Sequence, residues 1–310
     1  MPSLAVVIPT LGRGGTLGPG GTLGRVLDLL SASACEVPGL EVVVAADARV
    51  SDTGPLRELV EGRPWTPALA RGERDGASSA RNAGWRATAA DLVLFLGDDI
   101  LPRPGLLAGH LDWHGRERED EVGVLGHVEW ARELGRTAFM AWLDHGIQFD
   151  YPAIVGTEAG WGRFNTANAS VKRALLERVD GFDEGLPFLY EDLDLARRMH
   201  DHGFRLLYNR WAVGEHLHEP TIEGWQRRME MIGMAERAFV ARHPEVRPYF
   251  HERFAAAMAG APARGHSARL IRWLPRSFPL LGERAWTSAD LYYGQALAPA
   301  FFAGWETARP

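Results

Sequence analysis

Two pairs of adjacent carboxylates are the residues best suited to do chemistry in this chain: Asp98-Asp99 and Glu191-Asp192. The first pair follows Gly97 and the apolar run 92–96, which reads as the end of a buried strand. Two negative charges held side by side at such a place need a positive partner, or one of them takes up a proton. A divalent cation is the simplest partner. Hard oxygen ligands suit Mg²⁺ or Mn²⁺, ions that keep open positions for the phosphates of a nucleotide. The plainer alternative is an Asp pair that caps the turn after its strand. Glu191-Asp192 opens a helix-like segment, where the helix dipole favours acidic residues in any case, and Asp194 and Arg198 have salt-bridge spacing.

An α/β framework must carry these groups. Residues 4–8 form an apolar, β-branched run stopped by Pro9; residues 40–46 and 91–96 repeat the pattern, and all three read as buried parallel strands. Helical spacing over residues 23–34 and 78–90 suggests right-handed crossovers between strands. Ligands of such sheets sit beyond the carboxyl ends of the strands, which is where Asp47 and Asp98-Asp99 fall. The first connection contains a direct repeat, Gly-Gly-Thr-Leu-Gly at 14–18 and again at 20–24, read as a duplication that lengthens a loop. A phosphate cradle is the alternative reading, without the lysine and Ser/Thr of a P-loop. Beyond Thr221, Trp225, Met229, Ile232, Ala235, Phe239 and Val240 recur at helical spacing; residues 262–279 read as a Pro/Arg-rich loop, and a last helix is expected over about 285–298. These shifts place a domain boundary near residue 220, dividing the chain into 1–220 and a helical extension, 221–310.

Composition narrows the classes. The 310 residues are 46% hydrophobic and 24% charged, which supports a sizeable core and excludes disordered or collagen-like chains. A net charge of −6 has the wrong sign for a general nucleic-acid binder. Lys172 is the sole lysine among 34 basic residues, a bias read first as coding preference. Cys35 stands alone, so no internal disulfide forms, and a reducing cytoplasm is expected. No basic leader region precedes the first apolar run, and no apolar stretch approaches the roughly 18 residues of a membrane span. The Arg/Trp-rich stretch 269–276 suits either peripheral contact with an anionic membrane or an interdomain surface, and the apolar helices after 221 leave room for a homodimer.

Four motifs in a fixed order carry a resemblance. They are Val7-Ile8-Pro9-Thr10; Gly76-Ala77-Ser78-Ser79-Ala80-Arg81-Asn82-Ala83-Gly84; the strand end running from Phe95 through Gly97-Asp98-Asp99 to Pro102; and Gly181-Phe182-Asp183-Glu184 with Tyr190-Glu191-Asp192-Leu193-Asp194-Leu195. Together they resemble the family 2 glycosyltransferases of the GT-A fold over residues 4–218. The resemblance implies a Rossmann-like mixed central sheet flanked by helices. It also implies inverting transfer of a hexosyl unit from a nucleoside diphosphate donor, UDP-linked, to a hydroxyl of a saccharide, a lipid-linked sugar or a small metabolite.

By the same resemblance, Pro9, Asp47, Arg81 and Asp98 would bind the donor, with the Arg81 guanidinium beside the diphosphate. Asp99 would be the main metal ligand, joined by His216 or His218, and Gly97 stands where many relatives have an aspartate. Asp192 would act as general base and Glu191 would position the acceptor, as a base opposite the leaving group requires. Trp161 and Asn168 would face the acceptor, the indole as a platform for a sugar ring. The rivals are a sugar-phosphate nucleotidyltransferase, which usually carries a basic glycine-rich loop after the first strand, and a non-catalytic nucleotide-sugar-binding protein, suggested by Gly97.

Overall fold

The computed structural model describes residues 2–13, 15–17, 20–186, 189–263 and 265–308. Gly14, Gly18 and Pro19, on which much of the glycine repeat falls, lie outside the described residues. In chain order the elements are β1 (Leu4–Thr10), α1 (Thr22–Ser33), β2 (Glu41–Ala46), α2 (Gly54–Val60), β3 (Thr66–Arg71), α3 (Ala77–Arg86), β4 (Leu92–Leu96), β5 (Ile100–Pro102), α4 (Leu106–Arg116), β6 (Val122–Trp130), α5 (Ala138–Leu143), β7 (Asn168–Lys172), α6 (Arg173–Arg178), α7 (Glu191–His200), β8 (Arg205–His216), α8 (Ile222–Arg242), α9 (Tyr249–Ala259), α10 (Gly265–Ala268) and α11 (Leu281–Thr307). By contact density the chain divides into two units: residues 1–131, 154–184 and 191–218 form the first, and residues 132–153, 185–190 and 219–310 the second.

The first unit is built on a mixed sheet in the order β3-β2-β1-β4-β7-β6-β8-β5. Its centre is the three apolar runs, β1 pairing in parallel with β2 and with β4, so that the three strands end on one edge. The β1–β4 ladder stops at Val7↔Phe95, and Pro9, which has no N–H to give, stands beyond it. Strand β3 was not legible in the sequence: it carries Pro67 and is half-exposed, as suits the end of a sheet. Helix α3 lies against β1 and β2 at Gly84, where a Cβ would come within 2.4 Å of a Val7 methyl, so only glycine permits the approach. Strand β7 runs antiparallel to β4 and turns the parallel half into a mixed sheet. The short β5 pairs antiparallel with β8, Ile100 opposite His216.

The second unit is helical. α8 buries Trp225, Met229, Ile232, Ala235 and Phe239, the stripe that the periodicity predicts, and Thr221 caps its start by accepting from the Gly224 N–H at 3.0 Å. α8 and α11 touch backbone to backbone: a Cβ on Gly233 would meet the Phe301 carbonyl oxygen at 2.1 Å. The last helix is longer than expected, Leu281–Thr307 with Pro299 inside it, and the stretch read as loop holds α10 and a 3₁₀ turn over Arg269–Arg272. Proline and arginine density pointed to loop there; packing of Ala268 and Ile271, both buried, shapes it instead.

Candidate active site

Strand ends place the acidic residues. Asp47 follows β2, and its carboxylate is almost fully buried. Arg49 grips it with Nε and Nη2, both at 2.8 Å, while the Arg49 and Gly76 backbone N–H groups donate to it at 3.0 and 2.9 Å. Burial alone would raise its pKa, but these donors hold the carboxyl below its ordinary value. Asp47 therefore ties the end of β2 to the start of α3 through Gly76, whose φ of 118° suits glycine.

Asp98 and Asp99 follow β4. Burial, then the neighbouring charge of Asp99, push the Asp98 carboxyl up to about 6, against a 2.6 Å hydrogen bond donated by the Thr10 hydroxyl at the end of β1. Asp99 behaves in the opposite way. Burial would raise it too, but the charge and hydrogen bond of His216 and the charge of His218 hold it below the ordinary carboxylate range. His216 Nε2 lies 3.1 Å from Asp99 Oδ2, and the Leu217 N–H donates to the Asp99 carbonyl at 2.8 Å. The β5–β8 pairing is what brings together residues so distant in sequence. The His216 ring is stacked between Trp130 and His218, with centroids 5.2 and 5.7 Å away. Gly97 has a local reason: a Cβ there would come within 2.8 Å of Ile100 and 3.0 Å of the Asp99 carboxylate.

The second carboxylate pair opens α7. Glu191 Oε1 accepts from Arg81 Nη1 at 2.8 Å, and the same nitrogen lies 3.9 Å from Asp192 Oδ1. Asp192 accepts from the Thr166 hydroxyl at 2.8 Å and the Thr166 N–H at 3.0 Å. Its side chain is 21% exposed against 6% for Glu191, so Asp192 is the carboxylate that meets solvent. Burial raises its pKa, the charge of Arg81 opposes this, and Glu191 adds to it. The charge of Arg81 also acts on Asp98, opposing the rise of its pKa. Its buried Nε has no hydrogen-bond partner among the described residues, leaving one donor unused.

The remaining sequence candidates are placed as follows. Pro9 is half-buried in β1, and Trp161 is half-buried on a 3₁₀ turn with its ring 6.1 Å from that of His200 on α7. Asn168 lies in the core: its amide donates to the carbonyls of His127 and Ala212, and its oxygen meets His110 Nε2 at 2.9 Å. Its polar capacity is spent on the fold. Sequence reasoning missed Arg49, Thr10, Thr166, Trp130 and Asn82. Asn82 is the clamp of the Gly181-Phe182-Asp183-Glu184 turn, bonding the Phe182 N–H and carbonyl and the Glu184 carboxylate at 2.8–2.9 Å. Thr10 and Asn82 fall inside the ordered motifs, and Arg49 had a local signal, an aspartate two residues before it of the kind that forms an Asx turn.

Residues 2–231 match the sequence model of the family described as glycosyltransferase-like family 2. This chain belongs to that family. Among curated proteins it is similar to validoxylamine A glucosyltransferase of Streptomyces hygroscopicus subsp. jinggangensis, 27% identical over 282 residues, covering 80% of this chain and 63% of that protein. It is also similar to pre-mycofactocin glycosyltransferase of Mycobacterium tuberculosis, 29% identical over 176 residues, 55% of this chain and 36% of that one. The chain thus spans less than two thirds of the length of these relatives. Its GT-A fold is shared with the mannosyltransferase PcManGT of Pyrobaculum calidifontis, solved with GDP-Man and Mn²⁺, at a TM-score of 0.53 and 19% identity over 100% of this chain and 76% of that one. S. aureus TarS 1-349 with UDP-GlcNAc gives 0.53 and 14% identity over 98% and 91%.

Among the described residues no group of three or more His, Cys, Asp or Glu side chains is gathered to hold a metal by itself. The Asp99–His216 pair offers one carboxylate and one imidazole. That pair fits a divalent ion whose remaining ligands are supplied from outside the pair.

Proposed function

We propose that the protein transfers a hexosyl unit from a nucleoside diphosphate donor, UDP-linked in this reading, to an acceptor hydroxyl, with inversion at the sugar carbon. The observation that carries this is Arg81, which pairs with Glu191 at 2.8 Å, lies 3.9 Å from Asp192 and acts through its charge on Asp98.

Asp192 is the general base. Its raised pKa makes it a stronger proton acceptor than an ordinary carboxylate, and its exposure lets it reach a hydroxyl. Thr166 fixes its orientation, and Glu191 is the anchor that holds Arg81. Arg81 stabilises the charge that grows on the diphosphate as the glycosidic bond breaks. Asp99 and His216 would hold a divalent ion, Mn²⁺ or Mg²⁺, with His218 stacked behind; when bound, it neutralises diphosphate charge. Asp98, anchored by Thr10, faces donor hydroxyls, and Asp47 orders the Gly76 turn under the nucleotide. The acceptor class in this reading is a saccharide, lipid-linked sugar or small metabolite.

The test screens nucleotide sugars for transfer and slow hydrolysis with Mn²⁺, Mg²⁺ or chelator. Asp192→Asn is expected to bind donor normally and lose roughly 10²–10⁴ in turnover. Wild-type turnover by that variant sinks the base assignment, and indifference to chelator in both wild type and Asp99→Ala sinks the metal assignment.

A further inference from the structure

Residues 270–281 of the second unit hold five of the large apolar side chains most exposed among the described residues: Leu270, Trp273, Phe278, Leu280 and Leu281, with Trp273 77% and Leu280 72% exposed. Scattered exposed apolar residues need no explanation, but a contiguous set does. The segment is anchored from behind rather than loose. Ile271 is buried, the Trp286 indole N–H donates to the Leu274 carbonyl at 3.0 Å, and a Cβ on Gly282 would meet the Pro275 carbonyl at 2.4 Å. Leu280 has φ +59° and ψ −52° at the centre of a γ-turn closed by the Leu281 N–H donating to the Pro279 carbonyl at 2.6 Å, a strained conformation for a leucine.

Charge identifies what fits this surface. In a chain of net charge −6, no acidic residue stands between Glu252 and Glu283, whereas five arginines do, of which Arg253 and Arg276 pair with Asp290 at 3.5 and 3.7 Å. Arg269 and Arg272 are exposed, and Arg272 lies 4.6 Å over the Trp273 ring. An exposed tryptophan and leucines in one segment with exposed arginines match the layered chemistry of a lipid interface, apolar chains below and anionic headgroups above. No helix among the described residues is long and apolar enough to cross a membrane, so the contact lies in the interface plane.

We infer that the 270–281 surface docks peripherally on an anionic lipid membrane, with Trp273, Leu280 and Leu281 inserted among the acyl chains and Arg269 and Arg272 on the headgroups. The inference is independent of the transfer reaction. Its test is co-sedimentation of the full chain with phosphatidylcholine vesicles, with and without phosphatidylglycerol, at low and high salt. Binding is expected on the anionic vesicles, weakened by salt. Trp273→Ser with Leu281→Ser should cut partitioning at least tenfold, and Arg269→Gln and Arg272→Gln about fivefold each. Trp211→Ser, at an exposed tryptophan of the first unit, should change nothing, and melting curves confirm that each variant is folded. Absence of vesicle binding overturns the inference, as does binding equal in all variants. A concentration-dependent dimer that Trp273→Ser abolishes overturns it as well, by giving the patch a protein partner.

Discussion

Two pairs of histidines, one on a helix packed against the sheet and one at the end of its strand β8, experience opposite environments. His110 and His114, one turn apart on α4, are buried against β7: Ser170 bonds both rings at 2.8 Å, and Asn168 meets the other nitrogen of His110. Burial pushes His110 down to about 4 and His114 to about 3, the latter helped by His110 and Lys172. His216, at the end of β8, instead meets Asp99 at 3.1 Å, with the His218 ring stacked on its own. Spacing of four along a helix is what a metal-binding pair would show, yet that pair belongs to the core. The difference is made by neighbours: a serine hydroxyl and an asparagine amide meet the buried rings, whereas a carboxylate meets His216 at the strand end.

The sharpest test separates the two pairs by function. Asp99→Ala and His216→Ala are expected to lower sugar transfer at least 100-fold while shifting the melting temperature by only a few degrees. An equal loss in His110→Ala, measured per folded molecule, would break the comparison. That variant should instead cost about 3 kcal/mol in urea unfolding, because it opens a cavity and strips Asn168 and Ser170 of a partner.

Acid should find the buried pair next. Above about pH 6.5 His110 is neutral in both folded and unfolded chains and contributes nothing to pH dependence. Below that, the unfolded chain takes up a proton that the folded state refuses until about pH 4. Stability therefore falls as pH drops through this window, by about 3 kcal/mol for His110, and His110→Gln should flatten that slope in unfolding midpoints taken from pH 7 to pH 4. The smallest effect concerns Asp47: Arg49→Ala removes its two side-chain donors from a half-exposed arginine, and donor affinity should weaken about fivefold in calorimetry with stability nearly unchanged.

Legibility in the sequence followed the range of the interaction. β1, β2 and β4 were readable because continuous apolar runs reflect burial on both faces, and α8 because its stripe repeats every turn. Strands β3, β5 and β8 were not, since their pairing depends on partners far along the chain. The acidic residues could be named individually. Asn168, by contrast, carried no sign that its amide is consumed by two carbonyls and a histidine, none of them near it in sequence.

The sequence by itself determined the α/β class, the carboxylates at the strand ends and the ordered motifs of the family, since each rests on residues adjacent in the chain or one helical turn apart. Tertiary structure alone decided which of these groups share a site. The β5–β8 pairing sets His216 against Asp99, α7 brings Glu191 to Arg81, and α4 takes His110 and His114 out of water. A side chain's charge and availability depend on what surrounds it, and those surroundings come from segments dozens of residues away.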